Sequence, residues 1–166
     1  TLLVVAQAAL LWLTRQHEVN RRQEDADAAA AAAVAAVRQR LTTTTHQLQG
    51  MLWNEPDALT WERGAEYQLR DRPELLRLEL RDEGMRVTRL RESPFHPGAF
   101  RSIPRSAMDA DTQLACASAR RRNAPAFSRT YFVPLAEGMG LEVVDLCVPR
   151  PPGSEAGAIV ATIALS

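Results

Sequence analysis

The chain begins with an apolar segment that runs without a break into a long polar stretch, and this limits the folds open to it. Residues 1–13 are almost wholly apolar, and neither proline nor glycine occurs before Gly50. A helix that crosses a bilayer needs about 20 residues, more than this segment supplies. We expect residues 1–13 to be the end of a transmembrane helix, with Trp12 at the membrane interface and Arg15 and His17 in water.

Two other interpretations of the apolar segment exist. A helix buried in a protein core would have the same composition. A cleaved signal peptide fits less well, because no small-residue cleavage site follows Leu13 and the helical pattern continues beyond it.

Residues 14–50 are predicted to form one long helix, within a signalling segment that covers residues 14–56. An unbroken alanine run from position 28 to position 33 favours helix strongly. A narrow apolar stripe follows at helical spacing, and we call it the α1 seam: Val34, Val37, Leu41 and Leu48. Such a stripe packs against its own domain or against a second copy, so we expect a homodimer in the membrane-anchored protein.

Residues 57–166 are predicted to form a domain of α+β class. A short helix from Asp57 to Arg70 and a helix over 106–122 accompany strands at 75–81, 85–91, 127–133, 141–148 and 158–165. Tight turns between strands favour an antiparallel sheet of five strands, with the helix 14–50 across one face. In the first strand three leucines alternate with Arg77, Glu79 and Arg81, which predicts a half-buried strand.

Composition and motifs argue against several functions. The 20 basic and 20 acidic residues balance, so we expect no nucleic-acid partner. No phosphate-binding loop and no hydrolase or zinc-protease motif occurs, so we expect no enzymatic site in this segment. Two cysteines and three histidines make no metal-ligand pattern, and no cofactor is expected. Cys116 and Cys147 are either buried free thiols or a disulfide formed outside the cytoplasm.

Four segments carry a resemblance to a known family: 75–84, 127–134, 141–149 and 157–165. With their order along the chain, they resemble the extracytoplasmic PAS-like sensor domains called Cache or PDC domains. Those domains lie between two membrane helices of bacterial receptors. The resemblance implies a ligand-sensing input domain in the periplasm, anchored in the inner (plasma) membrane and passing a conformational signal across it.

The same resemblance implies an output domain beyond Ser166. We expect the intact protein to be a two-component sensor histidine kinase. A chemoreceptor and a cyclic-dinucleotide enzyme are the alternatives within the family.

The resemblance also implies where a ligand would bind, on the sheet face covered by residues 93–122. Asp145 is a carboxylate within an otherwise apolar strand, and a buried carboxylate needs a partner or a ligand. The candidate partners are Arg101, Arg105, Arg129 and Tyr131. Since arginine holds carboxylates well, the expected ligand is a small carboxylate or an amino acid. The alternative is an internal Asp–Arg pair with no ligand.

A pilin or pseudopilin subunit is a hypothesis from another class. Such proteins also join an apolar N-terminal helix to an antiparallel sheet. They carry a glutamate near the mature N-terminus, where this chain has Val5. The arginine-rich stretch that begins at Arg15 also fits that class poorly.

Overall fold

The computed structural model describes residues 2–53, 57–101, 109–135, 140–150 and 156–165. Three helices and six strands follow one another, which confirms the predicted α+β class. Their order is α1 (Leu2–Trp53), α2 (Ala58–Asp71), β1 (Leu75–Asp82), β2 (Val87–Glu92), α3 (Asp109–Arg122), β3 (Ala126–Phe127), β4 (Tyr131–Pro134), β5 (Gly140–Pro149) and β6 (Ala156–Ala164).

Helix α1 is continuous over 52 residues, as its composition predicts. Residues 1–44 form one compact unit and residues 45–166 another. In the first unit Val34 and Val37 of the α1 seam are exposed, whereas Leu48 is buried in the second. The seam is therefore divided, and only its N-terminal part remains open to a partner. Among the described residues, no helix combines the length and the apolarity that crossing a bilayer requires.

Helix α2 begins at a side-chain cap. The carboxylate of Asp57 accepts a 2.7 Å hydrogen bond from the backbone amide of Thr60, which satisfies a donor in the first turn. Trp61, Ala65 and Leu69 recur at helical spacing and are buried. The helix ends at Asp71, because Pro73 excludes its preceding residue from helical geometry.

The sheet is antiparallel, with strand order β2-β1-β6-β5-β3, and β4 also pairs with β5. Strand β6 lies between β1 and β5, so both its edges are hydrogen-bonded. Its residues Gly157–Ile163 are all buried, in keeping with their small and branched apolar side chains.

The predicted single strand over 127–133 is wrong: the structure has two short strands there, β3 and β4. Phe127 pairs with Leu146, whereas Tyr131 pairs with Val143, so residues 128–130 lie opposite residues 144–145. One extra residue is accommodated as a β-bulge, which interrupts the strand. The sheet therefore has six strands rather than five.

The prediction of a half-buried first strand is also wrong. All residues of β1 from Leu75 to Arg81 are buried, including Arg77, Glu79 and Arg81. Their face is covered by other parts of the domain, and ion pairs offset the cost of removing the charges from water.

Candidate functional site

A strip of polar side chains crosses the face of the sheet that lies under helix α3. Arg77 of β1 pairs with Thr162 of β6, and Thr162 pairs in turn with Asp145 of β5. Because side chains alternate along a strand, Glu79 and Arg81 lie on this same face. We call these five residues the polar face: Arg77, Glu79, Arg81, Asp145 and Thr162. All five are buried.

The Asp145 side chain of the polar face is fully buried, and each of its oxygens accepts at least one hydrogen bond. Its Oδ1 accepts hydrogen bonds from the hydroxyls of Thr162 (2.7 Å) and Tyr131 (3.1 Å). Its Oδ2 accepts a 2.6 Å bond from the hydroxyl of Thr112 on α3. Hydroxyl groups both donate and accept, so each of these neighbours can also serve a ligand placed beside the carboxylate.

The β-bulge lies directly opposite Asp145 and replaces part of the regular strand pairing. The backbone amide of Ser128 donates to the carbonyl of Asp145 at 2.8 Å. The amide of Asp145 donates to the Ser128 hydroxyl at 2.9 Å, where a regular ladder would offer a carbonyl. Ser128 therefore fixes the backbone of Asp145 and sets where the bulge occurs.

A chain of alternating charges occupies the β1 side of the polar face. Arg81 binds Glu79 through two nitrogens, Nε at 2.9 Å and Nη2 at 2.6 Å. Arg77 approaches Glu79 from the other side, with 3.5 Å between Nη1 and Oε1. Both side chains of the Arg81–Glu79 pair are 1% exposed, so the pair is shielded from solvent.

The charged chain continues at both ends to elements that cover the sheet. Arg81 Nη1 lies 2.7 Å from Oδ1 of Asp109, the first residue of α3. Arg77 forms an ion pair with Glu92 of β2. The guanidinium of Arg77 also lies 4.4 Å from the centre of the Phe100 ring, in the loop between β2 and α3. The polar face thus contacts both the covering helix and the covering loop.

Helix α3 packs over β5 and β3 through small side chains. One of them, Cys116, forms a disulfide with Cys147 of β5, and both residues are fully buried. The structure thus selects the disulfide over the alternative of free thiols. Cys147 lies two residues from Asp145 on the same strand face, so the covalent link adjoins the buried carboxylate.

The structure brings together only part of the predicted site. Tyr131 contacts Asp145 as expected, whereas Arg129 and Arg101 are exposed. Within the described part of the chain, neither guanidinium forms an ion pair. Arg101 borders an open cleft of about 560 Å³ with His96, Gly98, Pro134 and Leu135 among its walls. Arg105 lies outside the described residues.

The site predicted from the sequence did not include most of the hydroxyl partners of Asp145, nor did it include the charged side chains of β1. Thr162 is the single polar side chain of β6, as Asp145 is of the buried part of β5. Two lone polar residues on adjacent strands were a usable signal for direct pairing. The order Arg77, Glu79, Arg81 was a second signal, because alternating charges at strand spacing can pair with one another when buried.

One solved structure similar to this chain is the ligand-binding domain of the Pseudomonas aeruginosa PAO1 amino acid chemoreceptor PctC, in complex with GABA. The match has 16% sequence identity and a TM-score of 0.44, and it covers 80% of this chain and 56% of that domain. This chain therefore spans little more than half of the PctC domain. No protein-family model and no curated protein matches the chain. A likeness this distant does not establish a shared function.

Proposed function

We propose that this chain is the extracytoplasmic, Cache-like ligand-sensing domain of a membrane-anchored bacterial receptor, with the polar face as its input site. The observation that carries the proposal is the buried Asp145 carboxylate, ringed by hydroxyls beneath α3. Buried charged groups are often no more stabilising than apolar side chains of the same volume. A core that retains so many of them in one strip is better explained by recognition than by stability.

The chemistry of the polar face favours a small amino acid or carboxylate. An ammonium group of such a ligand would bind Asp145 and replace a hydroxyl donor, with Tyr131 at the edge of the site. A ligand carboxylate would bind one of the three candidate arginines, Arg101, Arg105 or Arg129, through paired hydrogen bonds. Tyr131 is the most accessible of the three hydroxyl partners of Asp145, since Thr112 and Thr162 are fully buried.

A thermal-shift screen of the 166-residue chain tests this function. The panel contains amino acids, short carboxylates and GABA, the molecule bound to the PctC domain. A ligand present at a hundredfold excess over its Kd raises Tm by about 5 °C or more in a domain of this size. Asp145→Asn should reduce the shift by about half or more, whereas Glu142→Gln, at an exposed position of β5, should preserve it. If no panel member shifts Tm, or if Asp145→Asn shifts as the parent does, the proposal is wrong.

The disulfide supports the proposed location in the periplasm. Disulfides persist in oxidising compartments and are rare in the cytosol. Cys116 and Cys147 are both fully buried, so their bond belongs to the folded core. Acid quenching of the host cells, alkylation of free thiols in the denatured chain and mass spectrometry test the location: a modified Cys116 in most molecules would contradict it.

We also propose that the receptor is a homodimer and that its output module is a sensor histidine kinase. Val34 and Val37 are 52% and 55% exposed, which leaves this part of the α1 seam available to a second copy. Cysteine crosslinking in membranes at positions flanking these valines should trap the dimer, and a complete lack of crosslinks along residues 20–50 would exclude it.

The output module is tested by the gene sequence downstream of the codon for Ser166. A second apolar segment followed by a histidine-containing dimerisation helix is expected. A long methyl-accepting coiled coil there would instead identify a chemoreceptor, and a cyclic-dinucleotide enzyme would also overturn the kinase assignment.

A further inference from the structure

Helix α3 is attached to the sheet by contacts along one stripe. Positions 109, 112, 116 and 120 are spaced by three, four and four residues, so they lie on a single helix face. Each of the four makes a specific contact outside the helix: Asp109 to Arg81, Thr112 to Asp145, Cys116 to Cys147, and Arg120 to the carbonyl of Glu83 in the turn after β1.

Apolar packing contributes little to this attachment. The other buried side chains of α3 are those of Ala115 and Ala119. Each is a single methyl group, so its burial removes little apolar area from water. Hydrophobic stabilisation scales with the apolar area removed from water, at about 25 cal/mol per Å². The position of α3 therefore depends on the specific contacts of the stripe more than on its hydrophobic burial.

The contacts of the stripe differ in kind along the helix. The disulfide of Cys116 is covalent and fully buried. N-terminal to it, Thr112 and Asp109 are held by a hydrogen bond and an ion pair. The side chain of Asp109 is 34% exposed, so water can solvate this carboxylate when its contact with Arg81 opens, while the buried Arg81 keeps its two bonds to Glu79. One end of the helix can thus separate from the sheet while the disulfide holds.

We infer that α3 is a hinged cover over Asp145, with the Cys116–Cys147 disulfide as the pivot and residues 109–115 as the part that moves. A ligand that donates to Oδ2 of Asp145 competes with the Thr112 hydroxyl and releases this part of the helix. Ligand binding is thereby converted into a movement of α3 relative to β5 and β1. The inference rests on the proposed function for the ligand, but the hinge itself can be tested without one.

Hydrogen–deuterium exchange of the oxidised 166-residue chain, without ligand, tests the hinge. Thr112→Val keeps the side-chain shape and removes the donor to Asp145, and Asp109→Asn removes the charge opposite Arg81. Thr112→Val should speed exchange about tenfold in peptides covering 109–115, the effect expected from losing one hydrogen bond of ordinary strength, and Asp109→Asn, which keeps an acceptor, should speed it by a smaller factor. Peptides covering 116–122 should keep their parent rate. Leu114→Ala is the control, since Leu114 is 69% exposed and its loss should change neither segment.

The pivot is tested by removing the disulfide. In the Cys116→Ser/Cys147→Ser double variant that also carries Thr112→Val, both segments should exchange faster together. The inference is overturned if Thr112→Val in the oxidised chain speeds exchange in 116–122 as much as in 109–115, or speeds exchange in neither segment. It is equally overturned if the folded double-cysteine variant confines the faster exchange to 109–115. If the double-cysteine variant does not fold, the oxidised single variants decide. A ligand screen without hits would refute the proposed function and leave the exchange result standing.

Discussion

Thr112 of α3 donates a 2.6 Å hydrogen bond to the carboxylate of Asp145 in β5, and both residues are fully buried. This bond joins the covering helix to the residue at the centre of the polar face. Because an unmade buried hydrogen bond costs more than a made one contributes, neither partner can be removed without consequence. The bond therefore couples the N-terminal half of α3 to the polar face.

Removal of the Asp145 carboxylate should destabilise the domain strongly. Asp145→Ala leaves the hydroxyls of Thr112, Tyr131 and Thr162 without their common acceptor. The expected loss is about 3 kcal/mol or more in the free energy of unfolding, measured by urea denaturation. Asp145→Asn keeps an acceptor and should lose less. An alanine variant within about 1 kcal/mol of the parent would show that these bonds contribute little.

Breaking a buried ion pair of β1 should lower the free energy of unfolding far more than breaking an ion pair on the surface. Glu79→Gln leaves Arg81 buried with a weaker partner, at an expected cost of about 3 kcal/mol in unfolding free energy. Glu66→Gln is the matched control, because the Glu66–Arg70 pair is solvent-exposed and should contribute less than about 1 kcal/mol. Equal losses in the two variants, measured in urea, would contradict the burial of the charged chain.

Gly157 and Gly140 differ in what a side chain would meet, so their alanine variants should behave differently. A Cβ at Gly157 would lie 2.2 Å from the backbone carbonyl oxygen of Asp82, which cannot move without shifting β1. A Cβ at Gly140 would meet the ring of Phe132, an exposed side chain that can rotate away. We expect Gly157→Ala to cost about 3 kcal/mol or more and Gly140→Ala about 1 kcal/mol. The reverse order in thermal melts would show that the β1–β6 contact is looser than described.

The cap of α2 should make stability depend on acid pH. The backbone amide of Thr60, and then its hydroxyl, lower the pKa of Asp57 below its usual value by hydrogen bonding to the carboxylate. The resulting stabilisation is present above the pKa of the unfolded chain and is lost as pH falls through the lower folded pKa. Asp57→Asn preserves the cap without titrating, so its stability should vary less between about pH 5 and pH 2. Parallel pH curves for parent and variant, in urea, would refute this role.

How far the sequence predicts the structure depends on the range of the interactions. Helix α1, the Asp57 cap and most strand positions follow from local periodicity and turn residues. The bulge opposite Asp145 does not, because it is set by the contact of Ser128 with a residue 17 positions away. The burial of Arg77, Glu79 and Arg81 depends on long-range contacts, such as that of Arg81 with Asp109 and that of Arg77 with Phe100, which form only in the folded domain. The contact of Tyr131 with Asp145 could be anticipated from the sequence, whereas that of Thr112 required knowledge of how α3 lies on the sheet.

Calorimetric titration decides whether the polar face binds the signal. The strongest stabiliser from the thermal-shift panel is titrated into the 166-residue chain, into Asp145→Asn and into the control Leu114→Ala. The account predicts one binding site per chain, an affinity at least tenfold weaker for Asp145→Asn, and an unchanged affinity for Leu114→Ala, because the lost carboxylate removes a charge-assisted bond. An unchanged affinity in Asp145→Asn would place the ligand elsewhere on the molecule and contradict the account.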